Sequence, residues 1–378
     1  MMSMKRIVVD GRWIKYSGIG RYVENLLIEI IRQDSKNHYI ILVRPGESDC
    51  LPLPKGRVEY VETDIVWYTP QEQIALPKLL DSLNPDLVHF TNFNVPLGYR
   101  KPYVVTVHDL TLLRFKNIRG GLLAPFTYRL KDVVMRHVLK TAVKRSRVIF
   151  TPSEFVKQDI AKRYRVKEQK KLIVTHNAAD KPHPKQPVNL KRFNLKSTDK
   201  FLLYVGNAYP HKNLERLIVA YQKLIKDAAF GHKLVLAGRK DEFHLRLEKL
   251  VKKRKLQDHI IFTDYVTDEE LAELYRRASL YVFPSLSEGF GIPGLEAMAW
   301  GLPVVSSNAT CLPEIYGEAV EYFDPKNPQA IADVISSVLS SKQRQAELVK
   351  LGYTQVKKYS WAQSAGEIIK GYRQALKK

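Results

Sequence analysis

Two glutamates and a cluster of glycines share one short segment and could together bind a phosphorylated, hydroxyl-rich ligand. The segment 287–307 reads SEGFGIPGLEAMAWGLPVVSS and contains Glu288 and Glu296, eight positions apart. Carboxylates accept hydrogen bonds from the hydroxyls of sugars and riboses. Glycines let the backbone approach a ligand closely, and the amides at the start of the following helix attract anions. The alternative is a strand-to-helix turn whose glycines serve packing and whose glutamates only complement the helix dipole.

Other chemically useful groups follow predicted strands elsewhere in the chain. Lys212 comes after one strand, and a cation there could neutralise a diphosphate. His108 and Asp109 end another strand, and Gly18 and Gly20 lie in a loop after the first strand, where their amides could reach phosphate. Each also has an ordinary explanation, as a surface lysine, a packed histidine or a loop glycine.

The spacing Gly289-x-Gly291-x-x-Gly294 also matches the dinucleotide fingerprint, which makes an NAD-dependent oxidoreductase an alternative class. Three features argue against it. Glu288 would place a negative charge beside the pyrophosphate, and no acidic residue that could bind a ribose ends a strand about 20 residues further on. The first predicted strand is also followed by a long loop instead of a tight glycine turn.

Short β-branched runs alternate with helical patterns along the chain, which indicates parallel sheets covered by helices on both faces. Strands are predicted at Arg6–Val9, Tyr39–Val43, Val58–Val61, Leu87–Phe90, Tyr103–Val107, Val148–Phe150, Leu172–Thr175, Phe201–Val205, Lys233–Ala237, Ile260–Phe262, Leu280–Phe283 and Pro303–Ser306. Helices are predicted at Arg21–Arg32, Gln71–Ser82, Phe126–Arg147, Gly294–Trp300 and Trp361–Leu376.

A polar, proline-containing segment interrupts this alternation and predicts a linker. We therefore expect an α/β protein of two doubly wound units, which the length of 378 residues can accommodate. The expected parts are an N-terminal domain at 1–180, the linker at 181–197, a C-terminal domain at 198–358 and a last helix at 359–378.

The composition predicts a cytoplasmic protein. Its two cysteines, Cys50 and Cys311, give neither a disulfide framework nor a zinc-binding spacing. The N-terminal residues MMSMKRIVVD lack the apolar core of a signal peptide, and no apolar stretch approaches a membrane span.

Basic charge is concentrated in the first half of the chain. The net charge is +22, and 17 basic but only 4 acidic residues lie between Arg114 and Lys171. The helix predicted at Phe126–Arg147 carries Leu130, Val133, Val134 and Val138 on one face, a pattern typical of an interfacial helix on anionic lipid. An amphipathic helix packed on the sheet is the alternative. Nucleic acid is not expected as a partner, because the basic residues are not interleaved with aromatics and no recognition motif occurs.

Four separated motifs resemble those of one large family, the group-1 (GT4-like) retaining glycosyltransferases of GT-B fold. The motifs are GIGRY at 18–22, VVTVHDL at 104–110, YVGNAYPHKNLERLI at 204–218 and VTDEELAELYRRASLYVFPSLSEGFGIPGLEAMAWGLPVV at 266–305. The resemblance extends over nearly the whole chain and is closest to bacterial mannosyltransferases that build O-antigen and other cell-surface polysaccharides. It implies two Rossmann-like domains facing a central cleft, with the last helix crossing back to the N-terminal domain.

The resemblance also assigns roles to matching residues. Glu288 would lie beside the donor sugar, Glu296 would bind the ribose, and the amides of Phe290 and Gly291 would lie near the sugar and phosphates. Lys212 would neutralise the diphosphate.

His211 and Asn207 occupy places where the family often has arginine or serine, so the cationic clamp would be either weaker or assisted by His211. On the N-terminal domain, Gly18 and Gly20 would contact the diphosphate, His108 would contact the donor sugar, and Asp109 would orient His108 or meet the acceptor.

The reaction implied is a front-face transfer with retention, in which the departing diphosphate takes the acceptor's proton. No Asp-x-Asp motif is present, so neither a metal nor another cofactor is expected. GDP-mannose is the expected donor, and the expected acceptor is an oligosaccharide or lipid-linked glycan at the inner face of the plasma membrane. The alternatives are a UDP-sugar donor and a non-catalytic nucleotide-sugar-binding protein of the same fold.

Overall fold

The computed structural model describes residues 4–48, 51–53, 56–115, 124–179, 188–227 and 229–377, which form two compact units. Unit 1 comprises the described residues of Met1–Leu113, Gly120–Asn177 and Ser360–Lys378. Unit 2 comprises those of Arg114–Arg119 and Ala178–Tyr359. None of the described helices is long and apolar enough to cross a membrane.

Unit 1 contains a parallel sheet of seven strands in the order β3-β2-β1-β4-β5-β6-β7. The strands are β1 (Arg6–Asp10), β2 (His38–Val43), β3 (Val58–Glu62), β4 (Leu87–Phe90), β5 (Tyr103–Thr106), β6 (Val148–Thr151) and β7 (Leu172–Val174). The helices in this part of the chain are α1 (Ser17–Gln33), α2 (Pro70–Ser82), α3 (Thr111–Arg114), α4 (Ala124–Arg145) and α5 (Glu154–Tyr164), and α13 (Trp361–Lys377) joins them.

Unit 2 contains a parallel sheet of six strands in the order β10-β9-β8-β11-β12-β13. The strands are β8 (Lys200–Val205), β9 (His232–Ala237), β10 (Ile260–Phe262), β11 (Leu280–Phe283), β12 (Val304–Ser307) and β13 (Glu321–Phe323). The helices are α6 (Leu214–Leu224), α7 (Glu242–Lys253), α8 (Asp268–Arg277), α9 (Ile292–Ala299), α10 (Leu312–Tyr316), α11 (Pro328–Ser340) and α12 (Lys342–Val356). Both sheets have the doubly wound strand order, which confirms the predicted fold class.

The apolar patterns explain these elements. The central strands are buried on both faces, and the side chains of Ile7, Val8 and Val9 in β1 are fully inaccessible. In α1 the buried residues recur at the spacing of one helical face, which packs it on the sheet.

Helix α13 is attached to unit 1 by specific contacts. The hydroxyl of Tyr372 lies 2.7 Å from Nδ1 of the fully buried His89 on β4. Gly371 permits the close approach, because a Cβ there would lie 2.5 Å from the ring of Phe150. Burial lowers the pKa of His89 to about 3, so its imidazole is neutral at physiological pH.

The segment predicted as a linker at 181–197 is partly built into unit 2. Residues 181–187, which include the three prolines, lie outside the described residues. Leu190 and Phe193 form a buried 3₁₀ turn, and Arg192 pairs with Glu270 on α8. Unit 2 therefore begins before residue 198, because the apolar residues around Leu190 are part of its core.

Further differences between the predicted and observed elements include the starts of two helices and one strand. Helix α1 begins at Ser17, so the segment predicted as a loop before Arg21 is already helical. Helix α9 begins at Ile292 instead of Gly294. Strand β13 was not predicted, since only Phe323 of its three residues Glu321–Phe323 is buried, and the strand therefore shows no apolar run.

Candidate functional site

In unit 2 the glycine-rich loop joins β11 to α9, and Tyr316 of α10 fixes its shape. The hydroxyl of Tyr316 donates a 2.6 Å hydrogen bond to the carbonyl of Gly291. Gly291 has a φ of 99°, and a Cβ there would lie 2.5 Å from that hydroxyl. A Cβ on Gly294 would lie only 2.2 Å from it. Both glycines are therefore required by a backbone that passes close to a buried tyrosine.

Glu288, in the same loop, forms an ion pair with Lys212. The Lys212 Nζ lies 2.7 Å from Glu288 Oε1, and the two side chains are only 16% and 12% exposed. The loop is anchored at this residue, because the Glu288 amide donates to Thr310 Oγ1 (3.0 Å) and Cys311 Sγ donates to the Glu288 carbonyl (3.3 Å). Burial and the charge of Glu288 raise the pKa of the Cys311 thiol, which keeps it protonated and able to donate.

Lys212 ends a 3₁₀ turn, and Asn213 holds that turn against the loop after β11. Asn213 has a φ of 63°, and its Nδ2 donates to the carbonyls of Pro284 (2.9 Å) and Pro325 (2.7 Å). The amide of Leu286 donates to the carbonyl of His211 (2.7 Å). The strand order places β8 beside β11, and these bonds bring their two following loops into register.

Glu296 lies in the middle of α9 and is almost fully buried. Its Oε2 accepts a 2.9 Å hydrogen bond from the hydroxyl of Tyr275 on α8. Burial, Glu296 and Glu288 all raise the pKa of the buried Tyr281 on β11, so both carboxylates lie within electrostatic range of one tyrosine. The structure therefore brings Glu288, Glu296 and Lys212 to the same end of the unit 2 sheet.

The other predicted residues of unit 2 support this arrangement. His211 is buried, and its ring lies 5.9 Å from that of Tyr209. Asn207 follows Gly206, where φ is 147°, and its carbonyl accepts a bond from the Tyr204 hydroxyl (2.8 Å). Phe290 is buried, with its ring edge-on to Tyr359 at 5.3 Å, so only its backbone can face a ligand.

In unit 1, His108 lies shortly after β5, and its hydrogen bond shows which ring nitrogen carries the proton. Its Nε2 lies 2.9 Å from the carbonyl oxygen of Thr91, and a carbonyl only accepts, so Nε2 carries the proton. Burial lowers the pKa of His108, and the edge of Tyr22 packs on the ring at 4.8 Å. The imidazole is therefore neutral, and Nδ1 keeps a lone pair that can accept a hydrogen bond from a ligand.

Asp109 and the glycines of the first loop have partly structural roles. Asp109 Oδ1 accepts from the amide of Thr111 (2.7 Å) and so begins α3. Gly20 was expected to offer its amide to a diphosphate, but this amide already donates to the Tyr16 carbonyl (2.9 Å). A Cβ on Gly20 would lie 2.2 Å from the Ile14 carbonyl, so this glycine serves packing. Gly18 is exposed in the first turn of α1, and its amide is therefore better suited than that of Gly20 to bind an anion.

The residues that the structure describes contain no group of three or more histidine, cysteine, aspartate or glutamate side chains that could hold a metal ion.

The sequence motifs match two family models that together extend over most of the chain. Residues 16–181 match the model described as Glycosyltransferase Family 4, and residues 185–355 match that described as Glycosyl transferases group 1. The O-antigen chain mannosyltransferase B of Escherichia coli is 30% identical over 295 residues, which are 76% of this chain and 74% of that protein. The chain belongs to the group 1 glycosyltransferases.

Three further proteins are similar to this chain, one in sequence and two in fold. The O-antigen chain mannosyltransferase RfbU of Salmonella typhimurium is 30% identical over 277 residues, which are 72% of this chain and 70% of that protein. Sucrose-phosphate synthase from Thermosynechococcus elongatus has a TM-score of 0.75 at 20% identity, over 98% of both chains. Anabaena HepE in complex with UDP and glucose has a TM-score of 0.72 at 18% identity, over 98% of this chain and 99% of that one. The solved structures confirm the fold, and the family makes this chain a glycosyltransferase.

The contacts of Gly291 generate a testable prediction. Gly291→Ala should lower the free energy of unfolding by about 1–3 kcal/mol, because the left-handed backbone and the Tyr316 hydroxyl both oppose a Cβ. The matched control is Gly231→Ala, where a Cβ would meet nothing within 4 Å. Denaturant unfolding of the two variants measures the difference, and equal stabilities would contradict the role given to Gly291.

Proposed function

We propose that this glycosyltransferase moves mannose from GDP-mannose to an oligosaccharide or lipid-linked glycan, with retention and without a metal ion. The proposal rests mainly on the largely buried ion pair between Lys212 and Glu288, which lies beside the glycine-rich loop of unit 2. The relatives named O-antigen mannosyltransferases support the choice of sugar and the place in cell-surface polysaccharide synthesis.

The pair provides a cation that is held in place before the donor arrives. When a nucleotide diphosphate binds, the ammonium of Lys212 turns from Glu288 Oε1 to the phosphate oxygens, where charge grows as the sugar leaves. Glu288 is then available to accept hydrogen bonds from sugar hydroxyls. The amides of Phe290 and Gly291 lie near the sugar and phosphates, and Glu296 binds the ribose.

The chemical step needs no nucleophile from the protein. The bond between the anomeric carbon and the β-phosphate oxygen breaks, and the acceptor oxygen bonds to that carbon on the same face. The acceptor's proton passes to a phosphate oxygen of the departing GDP. In unit 1, Nδ1 of His108 accepts from a hydroxyl of the donor sugar, Gly18 contacts the diphosphate, and Asp109 meets the acceptor.

A UDP-sugar is the second candidate donor. It is favoured by one observation, the similarity of fold to Anabaena HepE, whose structure is described as a complex with UDP and glucose. The roles of Lys212 and Glu288 would be the same with either base, because they concern the diphosphate and the sugar.

The variants Lys212→Ala and Glu288→Gln test the proposal. With GDP-mannose, α-linked mannobiose as acceptor and EDTA present, we expect Lys212→Ala to lower kcat about 10²- to 10³-fold, since one group that stabilises the leaving charge is lost. Glu288→Gln should also lower kcat, while GDP binds at least as tightly because Lys212 has lost its competing carboxylate. Product formation by mass spectrometry and GDP titration give the two readouts.

The control is Lys240→Ala, which removes a lysine that pairs with Glu248 at an exposed position of the same unit. Its turnover should match the wild type. Normal transfer by Lys212→Ala, or activity that disappears in EDTA, would overturn the mechanism. Activity with UDP-glucose alone would replace the donor.

We also propose that unit 1 binds anionic lipid at the cytoplasmic face of the membrane through the first half of α4. Leu130, Val133 and Val134 are 69%, 64% and 49% exposed there. The helix was predicted to carry Val138 on the same face, but Val138 is buried, so the second half of α4 packs on the unit. Apolar side chains open to solvent beside exposed basic residues favour an interfacial role.

A double variant, Leu130→Ser with Val133→Ser, tests this surface. The wild type should sediment with phosphatidylglycerol vesicles at low salt and not with phosphatidylcholine vesicles, and the double variant should bind several-fold more weakly. Leu245→Ser changes an exposed leucine of unit 2 and is the control. Absence of wild-type sedimentation, or equal sedimentation of all variants, would contradict the proposal.

A further inference from the structure

Four aromatic side chains form a cluster on unit 1 that none of the roles above uses. Trp13 and Trp67 stack at 4.3 Å, the edge of Tyr16 meets Trp67 at 4.7 Å, and Tyr68 lies edge-on to Trp13 at 5.9 Å. Trp13 is buried, but Tyr16 and Tyr68 are 41% and 53% exposed. Large aromatic rings that remain in contact with solvent as a group mark a binding surface more often than isolated ones do.

The cluster lies where a doubly wound sheet binds its ligands. Trp13 and Tyr16 belong to the loop that follows the carboxyl end of β1, and Trp67 and Tyr68 belong to the loop after β3. Ligands of such sheets bind outside the carboxyl ends of the strands.

A buried charge network fixes the two loops to each other. The fully buried Arg12 pairs with Asp10 (2.7 Å) and with Glu72 (2.8 Å). Burial works to lower the pKa of the Arg12 guanidinium, but the two carboxylates outweigh it and raise that pKa above its ordinary value. Arg12 also donates to the carbonyl of Ile65 (2.9 Å), so the loops after β1 and β3 are held as one rigid piece.

The same network stabilises an unusual backbone at Tyr68. Its φ is 62°, which is unfavourable for a bulky side chain, and its amide donates to Glu72 Oε2 (2.9 Å). Asn94 donates to the same carboxylate oxygen. Strain of this kind persists only where surrounding contacts fix it, and it concentrates at ligand-binding sites.

The cluster is also linked to His108. The Tyr68 hydroxyl accepts from Asn92 Nδ2 (3.1 Å), and the preceding residue, Thr91, accepts from His108 Nε2. The side chain of Tyr68 is 53% exposed as a whole, but the protein around its hydroxyl end raises the pKa of this group to about 12, and the charges of Glu72 and Asp109 act in the same direction. Tyr68 is therefore connected to His108 through Asn92 and Thr91, and it lies within electrostatic range of Asp109.

The chemistry of the exposed face matches a pyranose ring. A sugar presents C–H groups on its faces, which pack on aromatic rings, and hydroxyls around its rim. Within the described ranges, the Tyr16 hydroxyl and the Trp67 indole N–H have no hydrogen-bond partner, and the Arg44 guanidinium lies 5.8 Å from the centre of the Trp67 ring. Rings with polar edges suit a carbohydrate better than an acyl chain.

We propose that Trp13, Tyr16, Trp67 and Tyr68 form a sugar-stacking subsite for the glycan acceptor. This deepens the proposed function and rests on it, because the site would bind a sugar unit of the chain that is being extended. The polar edges and Arg44 would select orientation, and the rigid loops would keep the loss of conformational entropy on binding small.

Binding of α-linked mannotriose in the absence of donor tests the subsite. Saturation-transfer NMR and tryptophan fluorescence should show saturable binding to the wild type, with signals from the trisaccharide C–H groups. Tyr16→Ala and Tyr68→Ala should each weaken binding about 3- to 10-fold, whereas Tyr16→Phe, which keeps the ring and loses only the hydroxyl, should weaken binding less than Tyr16→Ala. The matched control is Tyr265→Ala, which removes an exposed tyrosine of unit 2.

A second readout separates this proposal from the proposed function. With GDP-mannose, Tyr16→Ala should raise the KM for mannotriose by the same factor and leave kcat and GDP-induced thermal stabilisation unchanged. If GDP binds but no trisaccharide of a mannose, glucose or N-acetylglucosamine series does, the subsite is refuted while the transferase proposal stands. Equal trisaccharide affinity of the wild type and the alanine variants would also overturn the subsite.

Discussion

An ammonium and a carboxylate that are both largely withdrawn from water, Lys212 and Glu288, determine how the loops of unit 2 are arranged. Removing two charges from water costs several kcal/mol each, which the attraction between them only about offsets. Such a pair therefore adds little net stability, but losing one partner is costly. Its geometry depends on neighbours that carry no charge: Asn213 holds the turn of Lys212, and Thr310 and Cys311 hold the loop of Glu288. In the mechanism we propose, the pair keeps a cation ready for the diphosphate without leaving it unpaired beforehand.

In unit 1 buried ion pairs also fix the arrangement of loops. Arg12 is buried between Asp10 and Glu72, and the network ends at the strained backbone of Tyr68. Here too the charges fix loops at the carboxyl edge of a parallel sheet and do not themselves reach solvent. Rigid loops of this kind can present groups to a ligand with little loss of entropy on binding.

The sequence predicts elements well where one residue pattern decides them. Buried strands such as Leu87–Phe90 and Leu280–Phe283 have the predicted bounds because runs of apolar residues suit a sheet covered on both faces. Helix α1 starts earlier than predicted, because Gly18 and Gly20 suggest a loop in isolation, whereas Gly20 is in fact needed for a close approach to Ile14. Strand β13 and the 3₁₀ turn at Leu190–Phe193 were missed, since their burial is decided by distant residues.

Contacts between residues far apart in the chain were beyond prediction from local pattern. Glu288 and Lys212 were each identified, but their ion pair joins positions 76 residues apart and follows only from the adjacency of β8 and β11. The supporting residues Asn213, Tyr275 and Tyr316 carry no motif of their own and were not identified. The residues of the aromatic cluster of unit 1 lie in the segments RWIKY and VWYTP, but no local sequence pattern shows that these two segments contact each other.

A thermal-shift panel of the wild-type protein with GDP, UDP, ADP and NAD in EDTA tests most directly whether the protein binds a guanine nucleotide without a metal ion. At 100 times its dissociation constant, a ligand stabilises the folded state by about 2.7 kcal/mol, which such a measurement detects easily. We predict that GDP stabilises the protein and that added Mg²⁺ or Mn²⁺ does not change this stabilisation. Stabilisation by NAD alone, or by GDP only with a divalent metal, would contradict this prediction.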